Sequence, residues 1–519
     1  MKNHTGQQWQ LARTLVLVSA AFAVACIFFF RNVAIDDAYI GFRFSENLRE
    51  GHGLRWNPGG ERVEGMTSIL WTAVLAVFYS GKEHTYVIAK VLGLLSLGIG
   101  FVAAFRAARL LCAGRIPALT AAALLLCPVF YFQAFNGLET GAAIAAAAWM
   151  LFLALRSSEN DHRPTFRWFF LSWLVAAMIR PEMALYGALL AVFVWQGKGY
   201  KGGWPFLREG LLFFILPGAV YFAWRAAYFG RLFPLTFYAK KGQALLQPSG
   251  VLYVLVTLLV TGWWVVLAGL AAASKGMSSL VRRRLLLLVV PALAGIAFYA
   301  TMRPVMGFVF RFTVPYFIPL ILAGTCAHAS APCVGGCLPY LRRFCVAVGL
   351  AAFLSVLVPA WHWATVNSRA LRLTHVELGR ALKLTGHQGV LLALNDLGGP
   401  AYFSDWTAYE GVGICTPAAS IEKLPPEALA QRFQPDLIII SGGSEHEVVF
   451  GNYRIVRRIP WLVYADEAKG LTQDVYMRDG CGFADELRRV LQAVPGMEKT
   501  ARPWYLHLYR MLKGLFPSA

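Results

Sequence analysis

Charge is scarce in this chain. Only 15% of the 519 residues are Asp, Glu, Lys or Arg and 57% are hydrophobic, whereas about a quarter of an ordinary soluble domain is charged. That argues against a water-soluble multidomain enzyme. Acidic residues are the scarcest, 28 against 48 Lys plus Arg, for a formal net charge of +20. Most of the basic residues fall in short gaps between long apolar runs, which is the pattern of cytoplasmic loops, so no nucleic-acid partner is expected. The nine cysteines contain no Cys-x-x-Cys pair, no His pair stands at ligand spacing, and no metal is expected. Cys415 and Cys481 alone lie in a polar segment, and their spacing leaves a disulfide open. No internal repeat, coiled coil or low-complexity tract is present. No small-residue cleavage site follows the apolar run Thr14 to Phe30, so it reads as an uncleaved span.

A membrane helix needs about 20 apolar residues. Spans are expected near 14–30, 86–112, 117–135, 139–155, 166–180, 183–196, 210–228, 250–272, 285–302, 310–329 and 344–361, about 11 in all. Lys2 and Arg13, Arg106 to Arg115, Arg156 to Arg167, Lys198 to Arg208, Lys275 to Arg284, and Arg342 with Arg343 then share the inner face. This puts the N-terminus in the cytoplasm and the C-terminal part outside. Met66 to Tyr79 is too short to cross and would turn those arginines outward, so it is expected as a juxtamembrane or re-entrant helix in the first outer loop, 31–85. The fold class is a polytopic α-helical membrane protein, 1–364, followed by an extracytoplasmic α/β domain, 365–519. In that domain Val390 to Asn395, Asp436 to Ser441 and Asp474 to Arg478 read as strands and Ala484 to Ala493 as a helix. Tyr505 to Leu515 reads either as a closing helix or as an amphipathic helix on the membrane.

The unusual polar residues collect on the outer side. Asp36 and Asp37 open a segment in which Ile40, Phe44 and Leu48 recur every four residues, an amphipathic helix at the interface. Carboxylates there either cap free N–H groups and meet the helix dipole, or one of them takes a proton from an incoming hydroxyl. The loop continues through Gly51-His52-Gly53, Trp56-Asn57 and Glu61 to Trp71. Other outer ends carry Asn136 to Thr140, Arg180-Pro181-Glu182, the stretch Phe229 to Lys241, Arg303 and Arg311. A single Arg or Lys at such a place is most often a snorkelling anchor. Several opposite acidic residues on the less positive side suit an anionic phosphate.

The order DDAYIGFRFSENLREGHGLRWNPGGERVEGMTSILW, NGLET, RPE, YFGRLFPLTFYAKKG, RFTVP and then a polar domain with AYFSDW and PDLIII resembles the GT-C glycosyltransferases. In particular it is similar to the bacterial arabinofuranosyltransferase group that includes the mycobacterial terminal β-type enzyme and its Gram-negative relatives. The resemblance covers Asp36 to about Pro315 and, more loosely, the outer domain. It implies inverting transfer of a sugar, arabinofuranose in that group, from a polyprenyl-phosphate donor to a cell-envelope glycan or glycoprotein on the outer face of the bacterial inner membrane, with no cofactor.

The resemblance also implies a base in the first outer loop, which falls on Asp36 as the leading residue or on its neighbour Asp37. Lys240, Lys241, Arg231, Arg311 and Arg303 are the candidates to hold the departing phosphate. Arg43, Glu64, Thr67, Ser68, Glu139, Arg180, Glu182 and Tyr238 are the candidates for substrate or acceptor. Asn136 stands where the family often has Ser, and no Pro follows Thr67-Ser68, so the sugar stays open. The alternatives are a same-fold transferase acting on pilin, lipopolysaccharide or capsule, a secondary transporter, or a non-catalytic receptor or scaffold. Charges gathered at the outer ends, rather than at broken helices near the midplane, favour the enzyme over the transporter.

Overall fold

The structure is a computed structural model that describes residues 2–111, 116–159, 161–240, 245–273, 277–330, 338–443, 450–462 and 471–498. Long, predominantly apolar runs form the helices α1 (Lys2–Phe30), α4 (Lys82–Leu111), α7 (Thr140–Glu159), α13 (Pro248–Ala272) and α14 (Ser279–Phe298). Between the first two lie α2 (Asp36–Arg49) and α3 (Ile69–Phe78). α5 (Ile116–Leu125) and α6 (Pro128–Phe135) are one apolar run broken by a 54° bend. Pro128 causes the break: it donates no N–H and drives Cys127 to an extended φ of −92° and ψ of 103°.

α8 (Arg163–Ile179) and α9 (Met183–Gln196) precede α10 (Gly199–Gly210), which runs through a π-helical turn into α11 (Leu216–Phe229). α12 (Leu235–Lys240) is a short outer helix, and α15 (Phe317–Ser330) and α16 (Leu338–Ser355) complete the bundle. Every expected span falls on a helix, and Met66 to Tyr79 is the short helix α3. The count differs, however. Seven helices among the described residues are long and apolar enough to cross a membrane, eight if the bent pair counts as one. The expected spans at 183–196 and 310–329 correspond to shorter apolar helices and that at 166–180 to the 17-residue α8, because polar or Pro-containing ends cut them off.

α4 and α7 cross closely through small residues. A Cβ on Gly141 would sit 2.7 Å from the carbonyl oxygen of Gly93 and one on Gly100 would sit 3.1 Å from Ala145 Cα, while on the α6 side a Cβ on Gly93 would sit 2.2 Å from the carbonyl oxygen of Ala134. Small residues bring membrane helices into backbone contact in this way, and here they press the loop 136–139 against the first outer loop.

The expected boundary at 364/365 falls inside a continuous helix. From α16 the chain runs through α17 (Leu357–His362), α18 (Ser368–Leu371) and α19 (Glu377–Leu384), joined by π-helical turns, so that Tyr340–Leu384 spans 45 residues from the bundle into the outer domain. There α20 (Gly398–Ser404), α21 (Pro417–Ser420), α22 (Pro426–Phe433) and α23 (Ala484–Gln492) surround a five-stranded sheet. Its strands are β1 (Val390–Ala393), β2 (Thr407–Glu410), β3 (Leu437–Gly443), β4 (Tyr453–Leu462) and β5 (Leu471–Arg478), in the order β2-β1-β3-β5-β4. β1 pairs in parallel with β2 and β3, and β5 is antiparallel to β3 and β4.

The expected strands are β1, β3 and β5. β2 is only four residues long, and β4 carries Arg454, Arg457 and Arg458, which hid both in the sequence. Phe44, Leu54, Trp56, Val63 and Met66 of the first loop share one core with Leu378, Leu391, Trp406 and Leu437 of the outer domain. Burial of that apolar surface locks the loop and the domain together. Cys415 and Cys481 are both buried and free. The stretch Tyr505 to Leu515 lies outside the described residues.

Candidate active site

Asp37, Thr67, Ser68, Glu139, Thr236 and Arg311 line a cleft at the helix ends beside the α/β domain, together with Ile40, Met66, Trp71, Leu138 and Ile414. Each wall has a local cause. Ser68 caps α3 by accepting from the Trp71 N–H at 3.4 Å, which leaves Thr67 exposed at the rim. The hydroxyl of Tyr86 accepts from the Ile35 N–H at 2.8 Å and donates to the Asn136 carbonyl at 2.7 Å, stapling the start of α2 to the loop before α7. Gly137 lies between them at φ +84°, where a Cβ would meet Ala38 and the Tyr86 ring at 3.0 Å. Trp71 closes this side by donating from Nε1 to the Gly137 carbonyl at 3.2 Å.

Across the cleft, Arg311 follows a strained turn. Met306, Val309 and Phe310 all have positive φ, a conformation that costs a non-glycine residue about 1–3 kcal/mol. Gln133 holds the turn, donating from Nε2 to the carbonyls of Phe308 at 3.0 Å and Val309 at 2.7 Å. Asn136 in turn donates to Gln133 Oε1 at 2.6 Å. The motif around Asn136 therefore positions Arg311 through Gln133.

Charges then alternate along one line. Arg311 stands 3.5 Å from Asp37 Oδ2 and 3.4 Å from Glu139 Oε1. Arg180 Nε is 3.9 Å from Glu139 and 2.8 Å from Glu182, and its Nη1 donates to the Arg311 carbonyl at 2.9 Å. Tyr299 donates to Glu182 at 2.6 Å. Burial raises the Glu139 carboxyl, but Arg311 and Arg180 outweigh it and hold the group below its ordinary value. Arg311 keeps capacity to spare. Its two contacts are longer than the 2.7–2.9 Å of strong charge-assisted bonds, and its buried Nε has no hydrogen-bond partner.

Asp36 faces the other way. Its carboxylate accepts from the backbone N–H groups of Gly398 (2.7 Å) and Gly399 (2.8 Å) in the outer domain, and it is 6% exposed. Burial pushes its carboxyl up to about 6, with His375 lowering it and Asp396 raising it further. The capping reading of this pair is right in kind, but the helix served is α20 and not α2. The preference for Asp36 as base over Asp37 is therefore revised, since consecutive helical residues point about 100° apart and Asp37 is the one that lines the cleft.

Four other candidates lie away from the cleft wall. Arg43 is buried, donating to the carbonyls of Trp56 (2.9 Å), Trp406 (2.8 Å) and Ala401 and to Asn57 Oδ1 (3.0 Å); burial lowers it to about 10. Glu64 grips Arg225 through both oxygens at 2.7 and 2.8 Å and is raised by burial. Tyr238 packs against the shared core. Arg303 contacts Gln247 at 3.5 Å and is not part of the cleft wall. Arg231 lines a different pocket, with Trp56, Glu61, Tyr409 and Arg432, behind the outer-domain loop that carries Ile414. Lys240 ends α12 one turn after Thr236; its side chain and the whole of Lys241 lie outside the described residues. Gln133, Thr236 and Ile414 were not anticipated as site residues. Only the spacing of Gln133 three residues before Asn136, one helical turn, signalled the first of them.

The fold is that of the GT-C glycosyltransferases. The structure is similar to ArnT from Cupriavidus metallidurans, solved bound to undecaprenyl phosphate, with a TM-score of 0.59 and 14% identity over 93% of this chain and 99% of that one. It is also similar to the oligosaccharyltransferase AglB from Archaeoglobus fulgidus, solved with an inhibitory peptide and a dolichol-phosphate (TM-score 0.51, 9% identity, 84% of this chain and 70% of that one). The mycobacterial arabinofuranosyltransferase AftD is a third similar structure (TM-score 0.50, 15% identity, 90% and 41%). No family model matches the chain, and no curated protein matches it.

Proposed function

We propose that this protein is an inverting glycosyltransferase that moves a sugar, arabinofuranose by the resemblance of its first loop, from a polyprenyl-phosphate donor to a glycan or glycoprotein acceptor. The observation that carries this reading is the pairing of Asp37 with Arg311 in one cleft, a base beside a cation with unused donors. The similar folds of ArnT, solved with undecaprenyl phosphate, and AglB, solved with dolichol-phosphate, support a lipid-phosphate donor. In this reading Asp37 takes the proton of the acceptor hydroxyl as that oxygen attacks the anomeric carbon. The bond from that carbon to the phosphate oxygen breaks, and the phosphate leaves with the electron pair while Arg311 neutralises the charge. Glu139 and Arg180 keep Arg311 aimed, and Thr67, Ser68 and Thr236 offer hydroxyls to the sugars. The displacement needs no cofactor. The cleft faces the extracytoplasmic side of a bacterial inner membrane, with the N-terminus in the cytoplasm.

The test is direct. Purified full-length protein in detergent, given polyprenyl-phospho-arabinofuranose and a panel of acceptors, transfers the sugar and loses that activity in Asp37→Asn. Transfer at the same rate by the variant refutes the base assignment, and transfer of a different lipid-linked sugar alone would replace arabinofuranose in the reading.

A further inference from the structure

We propose that Asp36 is a positioning residue: its carboxylate latches the Gly398–Gly399 turn of the outer domain onto the start of α2, and so fixes the direction in which Asp37 enters the cleft. Each Asp36 oxygen is occupied by one N–H donor, at 2.7 and 2.8 Å. A general base must face the incoming hydroxyl, and Asp36 is buried, bound to the outer domain and absent from the cleft wall that Asp37 lines.

The partner surface is built for this contact. Gly398 and Gly399 follow β1, where the parallel part of the sheet changes winding direction between β1 and β3. In doubly wound sheets the crevice beyond the carboxyl end of such a strand is where ligands bind. Here a carboxylate from the membrane part of the same chain fills it. The approach is backbone to backbone: a Cβ on Gly398 would lie 2.1 Å from the Asp36 carbonyl oxygen. A Cβ on Gly399 would lie 3.1 Å from the Cβ of His375 and 3.4 Å from Asp36 Oδ1. His375 is fully buried beside the latch, 3.6 Å from Asp396.

The latch and the reacting side chain are consecutive residues. Any shift that releases Asp36 rotates or tilts the first turn of α2 and moves Asp37 with it. The outer domain is therefore part of the transfer machinery.

The kinetic arm of the test rests on the transferase reading; a second arm does not. In the full-length enzyme, Asp36→Ala and Gly398→Ala, which break the latch from its two sides, each lower kcat by about 10- to 100-fold, as misplacing a reacting group does. Donor KM stays within about twofold, because Arg311 is untouched. The double variant is no slower than the worse single one, the non-additivity expected of one shared contact. Full kcat in Gly398→Ala with a loss of about 10⁴-fold in Asp36→Ala would return the base to Asp36 and overturn the proposal.

Independently of any transfer, amide hydrogen exchange across 398–404 accelerates by at least about tenfold in Asp36→Asn, a near-isosteric change that can accept only one of the two N–H bonds. Unchanged exchange there in a folded Asp36→Asn protein overturns the latch, whether or not a sugar is transferred.

Discussion

Replacing Arg311 with Gln removes the guanidinium that joins Asp37 to Glu139 and leaves a shorter, uncharged amide in its place. Each ion pair, at 3.4–3.5 Å, has a gross Coulomb energy of about 5 kcal/mol at an effective dielectric constant of 20. Only part of that is lost. Asp37 is 20% exposed and regains water, and Glu139 retains Arg180 at 3.9 Å. Breaking a buried pair from one side costs about 3–5 kcal/mol, so the destabilisation belongs at the low end, about 3 kcal/mol. The donor phosphate loses a charge-assisted hydrogen bond of about 1.5–3 kcal/mol, which is about 10- to 150-fold in affinity. The assay is titration of the detergent-purified variant with undecaprenyl phosphate, alongside initial rates of transfer. Both donor KM and kcat worsen, since the phosphate is charged before and during transfer. Arg311→Lys recovers the charge but not the fork, and lies between. An Arg311→Gln protein that binds undecaprenyl phosphate within threefold of wild type removes Arg311 from the phosphate site and directs attention to Lys240 and Lys241.

Other perturbations separate reacting groups from scaffold. Asp37→Asn drops kcat by about 10²-fold or more while leaving undecaprenyl phosphate affinity near normal, the scale of losing a general base; a loss confined to affinity contradicts that role. Glu64→Gln lowers the melting temperature, because it leaves Arg225 without its buried counter-charge, yet the fraction that stays folded keeps its donor KM; a KM effect without a stability effect would put Glu64 in contact with substrate after all. Burial pushes the Glu410 carboxyl up to about 7 from its ordinary 4.5, against the N–H donors of Gly413 and Cys415. The folded state then holds a proton that the unfolded state releases, so this group's contribution falls as pH rises from about 4.5 to 7, by up to about 3 kcal/mol. Melting curves from pH 5 to 7.5 therefore decline more steeply for wild type than for Glu410→Gln, and parallel curves refute the assignment. Finally, cysteine at His52 reacts with an impermeant reagent from the extracytoplasmic face, while cysteine at Ser279 reacts only after the membrane is opened; labelling at 279 from outside reverses the proposed orientation.

The sequence alone settled what depends on composition and local pattern. Apolar runs located the long helices among the described residues, because a chain in lipid must satisfy its backbone within each segment. Short runs rich in apolar residues located β1, β3 and β5, and the unusual polar clusters named Asp37, Glu139, Arg180 and Arg311 as site candidates. Three matters were left to the tertiary structure. Helix length was decided by polar ends and by Pro128, whose effects depend on what they meet. The meeting of Asp37 with Arg311, 274 residues apart, was decided by the glycine-lined crossing of α4 with α7 and by Gln133 holding a strained turn. The division of labour between Asp36 and Asp37 was decided by packing as well. Two identical neighbours carry the same local signal, and only the outer domain, by offering two N–H groups on one side of α2, determined which carboxylate turns to the scaffold and which to the cleft.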